Sequence, residues 1–256
     1  ASASSYTRGQ MQVVDLESMS VVKTFKIPVV DSEGSGKGSG NSIFYKNKNV
    51  YLGLTKSTSE DEFNIINVSN PLDPIQIGKY PIGNAINAMT VHDKHAYIAS
   101  PNTRELQILD ISNANSPTYV GGFNAQTGAG HGKSIFSIGA KLYLGKTSGL
   151  NFDFIILDNS NPENTPVPLN GTDVGTGNSV NEIIVRDYLS FLLTNKDLQI
   201  FNTSNPSNIT PWGILTLPGI YDSNKSEPSM DCEGNRIFIS SNNEGQGKIY
   251  IIKPSI

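Results

Sequence analysis

Short apolar runs alternate with polar turns along most of the chain, and one such run recurs with the same ending. Each copy has an apolar stretch, then Asp or Asn, then Ser-Asn and a proline. Asp and Asn side chains bind backbone two residues on, and proline cannot donate to a continuing ladder, so each copy predicts a β-strand that ends abruptly. A second proline opens the following strand and places it at a sheet edge. The copies lie at 63–74, 106–117, 154–166 and 198–211, with shortened forms at 11–18 and 249–254.

A second repeat lies between these copies and predicts a hairpin. Each hairpin has two short strands of alternating pattern around a polar turn. Four short strands in every 40 to 50 residues are typical of a propeller blade. No segment has the apolar period of a helix. The sequence therefore predicts an all-β protein, a five-bladed β-propeller of four-stranded antiparallel blades, whose first strands begin near Ile43, Met89, Ile135, Ile183 and Met230.

The two ends of the chain predict how the ring closes. Residues 11–16 and 21–27 supply a third and a fourth strand, and the C-terminal segment supplies a first, a second and a third. Closure by both termini would remove exposed sheet edges. The third strand is present twice, so either the last blade has an extra strand or one terminal strand pairs elsewhere; a sixth, partial blade is a third, less favoured arrangement. We predict one domain over 1–256, with blades at about 41–82, 87–123, 133–170, 181–217 and 228–254, the last completed by 11–27.

Composition narrows the possible partners. A net charge of −4 and a pI near 5.4 argue against nucleic acid, whose binding proteins carry basic patches. The sequence has no prominent run of Lys and Arg, so we do not expect it to bind an anionic membrane surface. No apolar stretch approaches the roughly 18 residues of a membrane-spanning helix, so we expect no direct membrane insertion. The start, ASASSYTRG, has neither Met nor a signal-peptide core, which leads us to expect an anchor or domain upstream. Cys232, the single cysteine, excludes an internal disulfide.

The repeats resemble those of a known family. The recurring strand ending and the hairpins HAYIAS (95–100) and NVYLGL (49–54) resemble LVIVD-repeat proteins. Residues 11–29 also resemble surface-propeller repeats with a YVTN-type signature. Asn67 and Asn202 replace the usual Asp, and Lys253 departs from the pattern in the last copy. The resemblance implies a β-propeller that is extracellular or on a prokaryotic cell surface, in some relatives joined to a pilin-like anchor. It implies no shared catalytic motif.

Polar residues precede each predicted first strand, where the chain would enter the central channel. Propeller loops converge at the mouth of that channel, so these residues form the candidate ligand site. Amides with one Lys and one Glu would suit a polar ligand such as a sugar. Alternatively, they satisfy neighbouring backbone and water in a narrow channel. The candidate residues are Asn41, Asn87, His131, Lys133, Asn181 and Glu182.

Other motifs predict no cofactor and no metal. Residues 128–134 resemble a phosphate-binding loop, but Thr127 replaces a required Gly and a strand follows instead of a helix. His92 and His95 flank a hairpin turn and are expected to be exposed. His131 could join Glu182, Glu227 or Asp231 around an ion, although no ligand spacing supports it. The acidic stretch at 31–36 lacks a calcium-loop pattern. Asp222, Glu227 and Asp231 cluster in one link, where a solvated acidic loop is expected first and a structural ion is the alternative.

Catalysis has little support in the sequence. No nucleophile elbow is present, and Cys232 has no recognisable base beside it. Glu182, Glu227 and Asp231 could act as glycosidase carboxylates, but only by analogy with the fold. Trp212 is expected to pack in a blade. The sequence thus leaves three hypotheses. The first is a non-catalytic surface module that binds a glycan or another surface protein, the second a polysaccharide hydrolase or lyase, and the third a structural spacer.

Overall fold

The structure, a computed structural model, describes residues 9–28, 38–125, 128, 130–217, 227–243 and 246–253. These residues form 21 β-strands and no helix. Strands that pair in a sheet are consecutive in the chain and antiparallel, which is the meander order of propeller blades. The described part accordingly holds no helix with the length and apolar character needed to cross a membrane.

The chain divides into two compact units. The first comprises residues 1–122 and 162–164. It contains the two-stranded sheet β1 (Met11–Asp15) and β2 (Ser20–Phe25). Blade 1 consists of β3 (Gly40–Lys46), β4 (Asn49–Leu54), β5 (Phe63–Asn67) and β6 (Ile75–Tyr80). Blade 2 consists of β7 (Ala88–His92), β8 (His95–Ala99), β9 (Leu106–Asp110) and β10 (Thr118–Phe123).

The second unit comprises residues 123–161 and 165–256. Blade 3 consists of β11 (Gly132–Ile138), β12 (Lys141–Lys146), β13 (Phe154–Asp158) and β14 (Val167–Thr172). Blade 4 consists of β15 (Val180–Arg186), β16 (Leu189–Thr194), β17 (Asp197–Asn202) and β18 (Thr210–Thr216). Blade 5 has three strands, β19 (Ser229–Glu233), β20 (Arg236–Asn243) and β21 (Gln246–Ile252).

The predicted fold class, an all-β five-bladed propeller, is confirmed. The terminal strands also form where the pattern placed them. β1 and β2 pair with each other, and β19 to β21 form a three-stranded sheet. The single domain over 1–256 and the completion of the last blade by residues 11–27 stay predictions.

The recurring strand ending works as its residue types predict. At the end of each third strand in blades 1 to 4, an Asp or Asn oxygen accepts the N–H of the serine two residues on, at 2.8 to 2.9 Å. These bonds end the ladder because the side chain satisfies a backbone donor that a longer strand would use. The strands after the prolines are edge strands, as predicted. The pairs are Asn67–Ser69, Asp110–Ser112, Asp158–Ser160 and Asn202–Ser204.

The same turns contact the outer strand of the preceding blade. The Ala114 carbonyl of blade 2 lies so close to Gly78 on β6 that a Cβ there would come within 1.9 Å of its oxygen. In the second unit, Asn170 on β14 donates from Nδ2 to the Ser207 carbonyl of blade 4 at 3.0 Å. The turn therefore both stops a strand and joins neighbouring blades.

A buried acceptor stands just before the third strand of several repeats. Gln10 accepts the N–H of Ile27 at 3.1 Å, and Glu62 accepts the N–H groups of Ile82 and Gly83, each at 3.0 Å. In blade 3, Asp153 takes the same position and accepts the Val174 N–H at 3.4 Å. In each case the donor follows the outermost strand, so this side chain holds the start of the link to the next blade.

Apolar cores fill the space between successive blades within each unit. Phe63 and Ile65 of blade 1 pack with Ile98 and Leu109 of blade 2. Phe154 and Ile156 of blade 3 pack in the same way with Leu192 and Phe201 of blade 4. A smaller core joins blades 4 and 5. Since each blade buries its face mainly against its neighbours, stability is distributed along the repeats.

The N-terminal strand pair has its own core against blade 1. Met11 of β1, with Phe25 and Ile27 at the end of β2, packs on four buried side chains of blade 1. This small sheet thus covers an apolar face of blade 1, as an adjacent blade would. The blade 1 residues are Val50, Leu52, Leu54 and Ile66.

Candidate functional site

The candidate residues occupy an irregular position on the innermost strands. The ladder between the first two strands shifts register around Asn41 in blade 1, Lys133 in blade 3 and Asn181 in blade 4. A β-bulge leaves one residue unpaired and re-aims the side chains beside it. The three predicted positions are therefore equivalent in structure as well as in sequence.

In the first unit, these residues bind neighbouring backbone. Asn41 donates from Nδ2 to the Ile86 carbonyl at 2.8 Å, which joins blade 1 to the link that enters blade 2. Asn87 donates its backbone N–H to the Ala99 carbonyl at 3.0 Å. Asn41 therefore contributes to the joint between blades, as the alternative interpretation of the amides anticipated.

In the second unit, the equivalent joint is made by Ser134. Its hydroxyl donates to the Val180 carbonyl at 2.8 Å, and Val180 stands in blade 4 where Ile86 stands in blade 2. Asn181 is buried and donates from Nδ2 to Asn195 Oδ1 at 2.9 Å. These contacts leave Lys133 and Glu182 as the charged candidates on the innermost strands of this unit.

Lys133 reaches beyond the adjacent blade. Its ammonium forms an ion pair with the Glu227 carboxylate just before β19, while β15 lies between β11 and β19. The Lys133 side chain is only 12% exposed, whereas that of Glu227 is 54% exposed. The ion pair therefore joins the starts of blades 3 and 5 across the start of blade 4.

Glu182 has the most perturbed acid–base behaviour near this ion pair. Burial raises its pKa to about 7, because a desolvated carboxylate is disfavoured, and repulsion from Asp231 adds to this effect. A hydrogen bond from Ser229 Oγ to Glu182 Oε2, at 3.3 Å, opposes the shift. A carboxyl with this pKa is partly protonated near neutral pH, so it can donate as well as accept hydrogen bonds. We call Lys133, Glu182, Glu227, Ser229 and Asp231 the inner-strand cluster.

His131 lies at the edge of this region and is exposed. Its backbone N–H donates to Thr147 Oγ1 at 2.8 Å, and its carbonyl accepts the Thr147 N–H at 2.8 Å. Within the described ranges, no group of three or more His, Cys, Asp or Glu side chains could hold a metal ion. Residues 31–36 and Asp222, which were considered as calcium ligands, lie outside the described residues.

The prediction that both hairpin histidines are exposed is wrong for His95. His92 is exposed, but His95 is 3% exposed and its Nε2 lies 3.2 Å from Glu163 Oε1. Lys94 pairs with the same carboxylate oxygen at 3.0 Å. Glu163 belongs to the three residues of the blade 3 turn that pack with the first unit. The hairpin pattern alone could not predict that His95 is buried, because the residue that covers it, Glu163, belongs to a distant turn.

The prediction that Trp212 packs in a blade is also wrong. Its side chain is 60% exposed and its ring meets Tyr188 edge-on, with the ring centroids 6.3 Å apart. Trp212 lines an apolar groove of about 510 Å³ together with Phe191, Ile237 and Ile252. Its strand, β18, is exposed along its whole length.

The row of buried acceptors was not singled out from the sequence, although a signal for it exists. An acidic residue immediately precedes the third strand in blades 1 to 3 and is its first residue in blade 4, and all four acids are buried. Aligning the repeats at this position would have revealed the row. Its members are Glu62, Glu105, Asp153 and Asp197.

Comparisons with known proteins support the same fold. Residues 83–125 match the LVIVD repeat family. No curated protein matches the chain. A functionally unknown protein from Desulfotomaculum acetoxidans DSM 771 is similar in structure, with a TM-score of 0.63, 15% identity, and coverage of 86% of this chain and 77% of that one.

A second similar structure is a computationally designed protein, Ika8. It has a TM-score of 0.55 and 9% identity, and the match covers 95% of this chain and 81% of the designed one. At these identities the two likenesses concern the fold alone. The repeat match over residues 83–125 and the five-bladed arrangement together support an LVIVD-repeat β-propeller.

Proposed function

We propose that this protein is a non-catalytic binding or display module, exported to the surface of a prokaryotic cell or associated with a surface appendage. Its partner would be a polar ligand such as a surface glycan, or another surface protein. The repeat resemblance supports the location. The acidic net charge supports a partner other than nucleic acid.

The observation that carries this proposal is the inner-strand cluster. Charged and hydroxyl groups from three blades stand together at the start of the innermost strands. Lys133 can donate, Glu227 can accept, and a partly protonated Glu182 can do both. A ligand rich in hydroxyl groups needs such mixed partners, since each hydroxyl both donates and accepts.

A polysaccharide hydrolase or lyase is the second candidate, and Glu182 is the observation that favours it. A general acid works best with a pKa near the operating pH, and the pKa of Glu182 is about 7. Asp231 would then be the second carboxylate of the pair. A purely structural spacer is the third possibility, in which the same contacts only hold the blades together.

Capture of glycans and envelope proteins tests the proposal. We would immobilise the wild-type protein, probe it with an array of neutral and acidic bacterial glycans and with solubilised cell-envelope proteins, and repeat this with Glu182→Leu, Lys133→Ala and Glu182→Gln. The first two substitutions should each weaken capture by about tenfold, a loss of about 1.4 kcal/mol, whereas Glu182→Gln keeps a group that both donates and accepts. Lys253→Ala, which changes an exposed lysine at the opposite end of blade 5 from Ser229, should leave capture unchanged.

The same samples separate the three functions. Shortened glycan products that disappear in Glu182→Gln would favour the enzyme, whereas unchanged turnover in that variant would remove Glu182 from any catalytic role. Failure to capture any ligand would contradict the binding proposal and leave the spacer. Protease accessibility of the domain on intact cells tests the surface location, because a protected domain would contradict it.

A further inference from the structure

A second groove lies on the outer part of blade 3, away from the inner-strand cluster. It has a volume of about 570 Å³. One side is the link after β10, the other is the outer strand β14, and the loop before β13 contributes Asn151 and Phe152. The groove thus combines an aromatic ring with several amide side chains.

Phe152 is unusual for its position in the repeat. It stands two residues before the first residue of β13, directly ahead of the buried Asp153. The equivalent positions in blades 1, 2 and 4 hold Asp61, Arg104 and Lys196, all charged. Phe152 is nevertheless 45% exposed, so burial does not account for the exchange of a charged residue for a phenylalanine.

The ring of Phe152 is held in place by a glycine beneath it. A Cβ added to Gly171 on β14 would come within 2.3 Å of Phe152 Cδ2. At the equivalent place in blade 1, Lys79 on β6 forms an ion pair with Asp61 at 3.0 Å. Blade 3 therefore replaces a charged pair with an aromatic ring that lies directly on strand backbone.

The polar groups around the ring are neutral amides and one carboxylate. Asn124 and Asn151 are exposed, as is Asp173 at the end of β14. Among the described residues that line the groove there is no lysine or arginine. Amides both donate and accept hydrogen bonds, whereas the absence of a cation disfavours acidic ligands.

We propose that this groove is a binding subsite for a neutral saccharide, with the apolar face of a sugar ring on Phe152 and its hydroxyl groups bound by Asn151 and Asp173. Binding sites typically pair apolar and aromatic walls with a few placed polar groups, and this groove has that composition. An aromatic ring supplies a large contact area at low conformational cost. The subsite does not depend on the inner-strand cluster, and neither proposal requires the other.

Titration with defined oligosaccharides tests this subsite. We would titrate the wild-type protein with cellohexaose, chitohexaose and hexagalacturonate by calorimetry and by saturation-transfer NMR. At least one neutral oligosaccharide should bind, with saturation reaching the ring protons of the sugar, and hexagalacturonate should bind at least tenfold more weakly. Phe152→Ala should lower the affinity for the neutral oligosaccharide by about tenfold or more.

Two further variants test whether binding depends on the position of the Phe152 ring. Gly171→Ala retains the phenyl ring but displaces it, so it should also weaken binding, with thermal unfolding as the check that the fold is kept. Trp212→Ala removes another exposed aromatic residue and should bind like the wild type. No binding of either neutral oligosaccharide up to about 10 mM, or equal binding by Phe152→Ala, would overturn the proposal. Glu182→Leu should leave this binding intact, which distinguishes failure of one site from failure of the other.

Discussion

At the scale of single residues, Glu182 is a carboxyl whose ionisation opposes folding. Its pKa is about 7 in the folded protein and near 4.5 for an ordinary Glu. A raised pKa means that the folded state holds the proton more tightly than the unfolded chain. The contribution of Glu182 to stability is therefore complete below pH 4.5, falls as the pH rises to about 7, and then stays low.

Glu182→Gln should remove this pH dependence. We expect the variant to match the wild type at low pH and to be more stable at pH 8, by at most about 3 kcal/mol. Urea unfolding at several pH values measures the difference. Glu233→Gln, which changes an exposed carboxylate on β19, is the matched control and should keep the wild-type dependence. A wild-type protein with the same stability profile as Glu182→Gln would contradict the account.

The neighbouring carboxylates Glu62 and Asp61 in blade 1 should contribute very differently to the free energy of unfolding. Glu62 is 3% exposed and accepts the N–H groups of Ile82 and Gly83, so Glu62→Ala would leave buried donors unpaired. We expect a loss of about 2 to 3 kcal/mol in the free energy of unfolding. Asp61→Ala breaks only a partly exposed ion pair with Lys79 and should cost less than about 1 kcal/mol. Equal losses in urea unfolding would show that Glu62 has no special structural role.

At the scale of strands and turns, contacts between blades decide which glycines matter. Gly78 on β6 and Gly213 on β18 occupy the same position in their blades. A Cβ on Gly78 would meet the Ala114 carbonyl at 1.9 Å, whereas a Cβ on Gly213 would meet nothing within 4 Å. Gly78→Ala should therefore destabilise the protein by about 1 to 3 kcal/mol and Gly213→Ala by less than about 0.5 kcal/mol. Thermal unfolding of both variants checks this, and a reversed order would contradict the packing.

Sequence reasoning succeeded at this scale where the determinants are local. The Asp or Asn turns, the edge strands after the prolines and the hairpins all follow from residue type and spacing. Burial of His95 and exposure of Trp212 were not predictable in the same way, because each depends on a segment from elsewhere in the chain. His95 is covered by Glu163, and among the described residues no turn covers Gly213 of β18 as Ala114 covers Gly78 of β6.

In the candidate site, too, the features set by local sequence were predictable and those set by distant segments were not. Repeat alignment predicted the equivalent positions of Asn41, Lys133 and Asn181, and all three fall at register shifts of the ladder. It could not predict that Lys133 pairs with Glu227 two blades away. Nor could it predict the raised pKa of Glu182, which depends on burial against the neighbouring blade.

At the scale of the whole molecule, the N-terminal strands should be essential for stability. Deleting residues 1–27 would expose Val50, Leu52, Leu54 and Ile66 of blade 1 and leave an apolar face uncovered. We expect a loss of several kcal/mol and a Tm lower by roughly 10 °C or more. Leu16→Ser, at an 80% exposed position in the β1–β2 turn, should leave Tm nearly unchanged. An unaltered Tm after the deletion would contradict closure by the N-terminal strands.

Binding without cleavage is the central claim about the molecule. The most direct measurement mixes the wild-type protein with a captured glycan, quantifies binding by calorimetry, and follows the glycan chain length by mass spectrometry over a day. The account predicts saturable binding that Glu182→Leu weakens, with the glycan recovered at its full length. Shortening of the glycan that stops in Glu182→Gln would contradict it and assign the inner-strand cluster to catalysis.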